Sequence, residues 1–241
     1  MLRTLLQKLR NRDSESYAVD PACFDDPLAL QVDWTAAESD GTRHLTRKLV
    51  AVDSTRMQFR ATAENLTGPF IFLLAGIGTI VVFRRPTPSS GWLPSDLHGM
   101  IPLLVGLVLA VAGACGIRSG SSPIVFDKQE GCFWKGRQAP GGIPGEKAVG
   151  RQAALDSIHA LQILAKRCRG SGDPPGDPSY DSYELNLILD TGRRIHVIGH
   201  GDRERMREDA GTLASFLKKP LWDSTLPLYP APFQRDYLDQ P

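Results

Sequence analysis

Two long apolar runs dominate the pattern of hydrophobic and polar positions: 66–83 (LTGPFIFLLAGIGTIVVF) and 97–117 (LHGMIPLLVGLVLAVAGACGI), parted by a polar loop. The first run carries no charged residue, and the second carries only His98. Each is close to the ~20 residues that a helix needs to cross ~30 Å of hydrocarbon. Main-chain polar groups find no water in lipid, so both runs are expected to be helical, a membrane hairpin over 66–118. Asn65 or Thr67 is placed to cap the first helix. Gly76 and Gly78 lie in the first run and Gly106 and Gly113 in the second, small residues that allow close helix approach, and Gly106, Ala110 and Ala114 have small-xxx-small spacing. No carboxylate, lysine or arginine lies inside either run, which argues against a transporter or channel.

Outside the hairpin the period changes to two. His44–Val52 and Thr55–Ala61 alternate around Asp53-Ser54 and predict a β-hairpin over 44–65, with Leu45, Leu49 and Ala51 on one face and Met57 and Phe59 opposite. After the membrane runs, PIVFD (123–127) and CFWK (132–135) predict a second strand pair, and Gly136–Gly150 a loop. Leu155–Cys168 fits a helix through Leu155, Ile158, Leu161 and Ala165, or a strand through Ile158, Ala160, Gln162 and Leu164. A strand is favoured because the neighbouring strand pairs need a central partner. SYELNLILD (182–190) and RRIHVI (193–198) predict the clearest hairpin, with Tyr183, Leu185, Leu187 and Leu189 inward and Ser182, Glu184, Asn186 and Ile188 outward. Ile195 and Val197 share a face, and Gly199 ends the strand. Asp202 then caps a helix whose stripe is Met206, Ala210, Leu213, Ala214 and Leu217, and Lys218, Lys219 and Pro220 stop it.

The ends are less patterned. Residues 1–43 begin with a basic stretch in which Leu2, Leu5, Leu6 and Leu9 share a helical face, and continue as an acidic, Pro-containing segment expected to be irregular. The stretch reads either as an interfacial helix or as a frayed terminus, and no apolar core or cleavage site marks it as a signal peptide. Residues 221–241 are Pro-punctuated and aromatic and are expected to pack extended against the preceding 119–220 domain.

Composition sharpens location more than chemistry. The chain has 241 residues, 41% of them hydrophobic, and a net charge of +1. Near-neutrality argues against nucleic acid, which selects a basic stripe. Arg47, Lys48, Arg56 and Arg60 precede the first span, and Arg118, Lys128, Lys135 and Arg137 follow the second, against Arg84 and Arg85 in the loop. That bias predicts both termini in the cytoplasm of a bacterial inner membrane, as a multi-pass protein. Cys23, Cys115, Cys132 and Cys168 show no paired or zinc-binding spacing and read as free thiols.

Candidate chemistry is sparse. His196, His200 and Asp202 have the spacing H-x₃-H-x-D, but on a strand the two rings need not converge on a metal. Ser182, His200 and Asp202 could be drawn as a triad, without the G-x-S-x-G turn that would hold a nucleophile. Gly141-Gly142 and Gly170–Gly176 lack the lysine and helix of a phosphate loop. Phe133 and Trp134 beside Lys135 and Arg137 read as core more readily than as headgroup contacts. Ser182, Glu184 and Asn186 read as a solvated sheet face before a partner surface. No catalytic, cofactor-binding or metal residue is therefore assigned.

In element order, with SYELNLILD, RRIHVIGHGD and the helix ending FLKKPLWD, residues 118–220 resemble the pleckstrin-homology-like fold. The whole resembles bacterial membrane proteins that carry such domains, mostly of unassigned function. About five strands follow the membrane hairpin, against the seven usual there. Either 44–61 supplies the other two, or the domain is a different small α+β unit. The resemblance implies binding of protein or lipid headgroups. The expected fold class is α+β: a two-helix transmembrane hairpin inserted in a pleckstrin-homology-like antiparallel domain closed by a C-terminal amphipathic helix, with 44–61 and 123–135 in one sheet. The expected role is non-enzymatic, a membrane-anchored recognition or scaffold protein whose partners are the lipid bilayer and another protein, without a cofactor. An immunity-type membrane protein that neutralises a toxin, and an enzyme with an unrecognised site, are the alternatives.

Overall fold

The computed structural model describes residues 14–17, 19–37, 41–84, 97–141, 150–168 and 179–225. In chain order its strands are β1 (Ser14–Ser16), β2 (Arg47–Ala51), β3 (Arg56–Ala61), β4 (Ile124–Asp127), β5 (Cys132–Lys135), β6 (Gln152–Ala154), β7 (Ile158–Cys168), β8 (Tyr180–Leu189), β9 (Arg194–His200) and β10 (Leu221–Asp223). Its α-helices are α1 (Ala63–Phe83), α2 (Leu97–Gly120) and α3 (Arg203–Leu217). The basic helix expected at the N-terminus, the loops at 85–96, 142–149 and 170–178, and the tail from 226 lie outside the described residues. The chain forms two compact units: one from 44–129 and 133–141, the other from the residues before 44, 130–132 and those after 141. The strands fall into two five-stranded sheets, one in the order β2-β3-β4-β5-β6 and one built on β7, β8 and β9 with β1 and β10.

In the first of these units, β2, β3, β4 and β5 lie side by side. Leu49 stands opposite Phe59 and Ala51 opposite Met57. Phe59 in turn faces Ile124, so the strands that lead into α1 and out of α2 share one sheet as expected. Phe59, Phe126 and Phe133 are fully buried, with ring centroids 6.4 Å apart for the first pair and 4.9 Å for the second. Trp134 is also buried, which settles that position as core, and the Arg56 guanidinium, bonded to Asp127 at 2.6 Å, lies over its ring.

The helices start and stop where local chemistry allows. α1 begins three residues before the apolar run, because Thr62 rather than Asn65 or Thr67 is the cap, its hydroxyl accepting from Asn65 N. Both helices are long and apolar enough to cross a membrane, and only 6% and 11% of their apolar windows are buried within the protein. What is buried is the seam between them. A Cβ on Gly76 would lie 2.3 Å from Ala110 N, and one on Gly113 would lie 2.4 Å from Leu73 N, so the two main chains touch. Gly106, Ala110 and Gly113 form the α2 side, whereas Ala114 is exposed and Gly113 takes the place expected for it.

The second unit is built on β7–β8–β9, all antiparallel, with β1 and the parallel β10 sharing the other edge of β7. Residues 158–168 are thus a strand. β10 gives the start of the C-terminal segment a defined seat. Two features depart from expectation. A bulge between Leu185 and Asn186 sets Leu185 opposite Ile198 and Leu187 opposite Ile195, so Ile198, not Val197, shares the face of Ile195. The strand also runs through Gly199 to His200. α3, capped by Asp202 and ended by Lys218 in a left-handed conformation, buries Met206, Ala210, Leu213 and Ala214 against β7 and β8.

Candidate functional site

Strand alternation gives β7–β9 two different faces. Leu161, Ile163, Leu185, Leu187, Ile195 and Ile198 point to the α3 side. The other side carries Gln162, Lys166, Ser182, Glu184, Asn186 and His196, set by the register that pairs Gln162 with Asn186, Lys166 with Ser182, and Asn186 with His196. The sequence assigns Ser182, Glu184 and Asn186 of this row to solvent. The structure buries it: Gln162, Lys166, Ser182, Glu184 and Asn186 are each 2% exposed or less. The cover is the N-terminal segment expected to be irregular, here called the strap (residues 19–37 and 41–43).

Two kinds of contact hold the strap. At one end the contacts are apolar. Phe24 and Trp34 stack with centroids 5.0 Å apart, and both pack on Trp222 of β10. Ala29 and Val32 complete a small core with Ala160 and Ile188. Asp26 receives a hydrogen bond from His159 at 2.7 Å, which holds its carboxyl below the ordinary aspartate range. Farther along, the sheet's side chains grip the strap's main chain. Glu184 Oε2 accepts from Ala37 N at 2.8 Å, and Ser182 Oγ accepts from Thr42 N at 3.0 Å. Gln162 Nε2 and Arg194 Nη1 donate to Asp33 O, and Tyr180 Oη donates to Gly41 O at 3.1 Å. Close approach is built in at both glycines. A Cβ on Gly41 would lie 2.2 Å from Cys168 Sγ, and one on Gly201 would lie 2.1 Å from Arg43 O.

The centre of the face is polar and dry. Lys166 Nζ meets Glu184 Oε1 at 2.7 Å with both side chains almost wholly buried. Such a pair repays its desolvation only when further hydrogen bonds satisfy it; the amide of Ala37 on the other carboxylate oxygen is one such bond. Beside it, among the described residues, neither the side-chain oxygen nor the nitrogen of Asn186 has a hydrogen-bond partner, nor does Oε1 of Gln162. An unmet buried polar group costs about 1–3 kcal/mol. At the row's end Cys168 is buried beneath Gly41, and burial pushes its thiol pKa up.

The residues singled out for chemistry are not brought together. His196 stands opposite Asn186 and His200 opposite Tyr183, positions of opposite parity on β8, so the two rings lie on opposite faces of the sheet. Asp202 caps α3. Ser182 belongs to the strap side and His200 to the other, which separates the drawn triad. Among the described residues no group of three or more His, Cys, Asp or Glu could hold a metal. Lys166 and Gln162 were the missed members of the face. Their signal was present, since Gln162 and Lys166 stand four residues apart and so fall on one face of the strand, with Leu164 between them.

No protein-family model matches the chain, and no curated protein matches it.

Proposed function

We propose that the protein is a membrane-anchored, non-enzymatic recognition or scaffold module of a bacterial inner membrane. α1 and α2 would be its anchor, and the β-rich units would stand on the cytoplasmic side with both termini. The anchor reading is supported by the length of the helices and by the apolar side chains they leave outside the protein, among them Phe70, Ile71, Val81, Leu104 and Val108. Orientation rests on the Lys and Arg bias described above. Kinship with the pleckstrin-homology-like fold is proposed for β7–β9 and α3, on the order of antiparallel strands followed by one amphipathic helix.

The observation that carries the recognition reading is the strap-covered face, where side chains of a sheet hold an irregular stretch of main chain by its amides and carbonyls. Crosslinking in native membranes, with identification of what is captured, tests it: a single enriched protein partner is expected, and recovery of neither protein nor enriched lipid sinks the reading. Orientation is tested separately. Cys132 and Cys168 are buried and poor probes, whereas Cys23 is exposed. Labelling of Cys23 by an impermeant thiol reagent in intact cells would reverse the proposed topology.

A further inference from the structure

We propose that the polar face of β7–β9 is a groove for a peptide segment from a partner protein, and that the strap residues 33–37 and 41–43 occupy it as an internal, displaceable stand-in. The inference rests on the recognition reading and specifies its ligand: a segment with one aromatic anchor and side-chain amide or hydroxyl groups for Asn186 and Gln162.

Three observations carry it. First, the grip of Glu184, Ser182, Arg194, Gln162 and Tyr180 is on amides and carbonyls of the strap. Main-chain contacts are indifferent to the sequence of the occupant, so another segment can make the same bonds. Second, selectivity is concentrated at one end, where the Trp34 indole packs on Trp222, the kind of aromatic anchor that dominates binding energy. Third, the described part of the strap fits incompletely. Among the described residues, Asn186 and the Gln162 carbonyl are buried without partners, which a ligand with suitable polar side chains would correct. An occupant that leaves such groups unmet is the one a better-matched competitor displaces.

The full-length chain in lipid nanodiscs provides the test, with a labelled synthetic peptide of residues 30–43 as the first probe. Gly41→Ala drives a methyl into Cys168 and the Tyr180 hydroxyl and so releases the strap. Thr42→Cys with Gly199→Cys does the reverse. A Cβ on Gly199 lies 4.0 Å from that of Thr42, inside the span a disulfide bridges. The peptide is expected to bind Gly41→Ala roughly tenfold or more tightly than the unaltered chain. It should not bind the oxidised lock, and reduction should restore the unlocked value. Equal binding to the released and locked chains, or to neither, overturns the proposal.

If Gly41→Ala does not fold, Cys168 reports on the unaltered chain. Strap opening should let a thiol reagent modify Cys168 well before the equally buried Cys132, and the lock should remove that difference. Equal, slow modification of both in the unlocked chain means that the strap leaves only when the unit unfolds, and the proposal fails. For the partner's chemistry, a random peptide library is selected on Gly41→Ala and counter-selected on the locked chain. Selected peptides should share an aromatic residue. Asn186→Leu should weaken them at least about tenfold while leaving the strap peptide unaffected, since no described residue of the strap satisfies Asn186. Enrichment that ignores the lock, or an Asn186→Leu effect equal on both peptides, refutes the external-ligand claim. Loss of peptide binding with a captured membrane partner intact would remove this inference and leave the recognition reading standing.

Discussion

The two faces of the β7–β9 sheet are covered in opposite ways. Against α3 the contact is apolar on both sides: Leu161, Ile163, Leu185 and Leu187 meet Met206, Ala210 and Leu213, all at or near zero exposure. Such burial is non-directional, and a helix with the right stripe finds it without help from hydrogen bonds. Against the strap much of the contact is polar, and it is made through individual hydrogen bonds such as those of Glu184 to Ala37 N and Ser182 to Thr42 N. The apolar face supplies stability. On the polar face an unpaired group is penalised, so the fit there depends on individual hydrogen bonds.

The largest test of that contrast is Lys166→Met. It strands Glu184 in a dry site, and a loss of about 3–5 kcal/mol is expected in denaturant melts. The double variant Lys166→Met with Glu184→Leu should recover most of the loss, because no charge remains buried. If the double variant is as damaged as the single one, the pair is not the source of the penalty. On the opposite face, Leu213→Ala should cost about 2–5 kcal/mol through a cavity. It should not alter the relative reactivity of Cys168 and Cys132, since it leaves the strap's contacts untouched; an altered ratio would show the two covers to be coupled.

Acid acts at the apolar end of the strap. The His159 hydrogen bond holds Asp26 below the ordinary aspartate value of 3.8. A depressed carboxyl contributes stability that is complete above that value and is lost as pH falls through its lower, folded value. The packing of Trp34 on Trp222, followed by tryptophan fluorescence, should therefore loosen only below about pH 4. Asp26→Asn should remove that acid step at a cost of about 1 kcal/mol at neutral pH. An acid transition unchanged in Asp26→Asn assigns it elsewhere. The smallest effect is at Tyr17, whose phenol, desolvated and donating to Asp181 at 2.7 Å, is pushed up to about 12. A raised phenol contributes stability below its ordinary value of 10.0 that is lost as pH rises through about 12. Tyr17→Phe should remove one late-ionising tyrosine from the ultraviolet titration, and Asp181→Asn should bring the Tyr17 ionisation down.

Legibility followed the periodicity. The apolar runs, the hairpin across Leu49 and Phe59, the inward leucines of β8 and the stripe of α3 all repeat with the period of their element, and all were readable. The cap at Thr62 was missed because capping is set by where the chain turns out of β3, not by the start of the apolar run. Val197 and Ile198 exchanged roles because a single bulge residue reverses every face beyond it. The strap was missed for a different reason. Its residues are acidic, proline-punctuated and aperiodic, and they are ordered only by a surface assembled from segments more than a hundred residues away. Ser182, Glu184 and Asn186 look like a wet face because polarity signals exposure only on average, and a side chain cannot announce that a distant main chain will pair with it.

By itself, then, the amino-acid sequence determined the helical hairpin, its long apolar surface and the alternating strands, because these follow from local spacing and from the cost of leaving main-chain groups unbonded. Only the tertiary structure decided that the strands fall into two sheets rather than one. It alone also placed Lys166, Glu184, Asn186 and Gln162 under cover and parted His196 from His200. Those outcomes turn on register and on contacts remote in sequence, where a shift of one residue changes which face of a strand a side chain occupies.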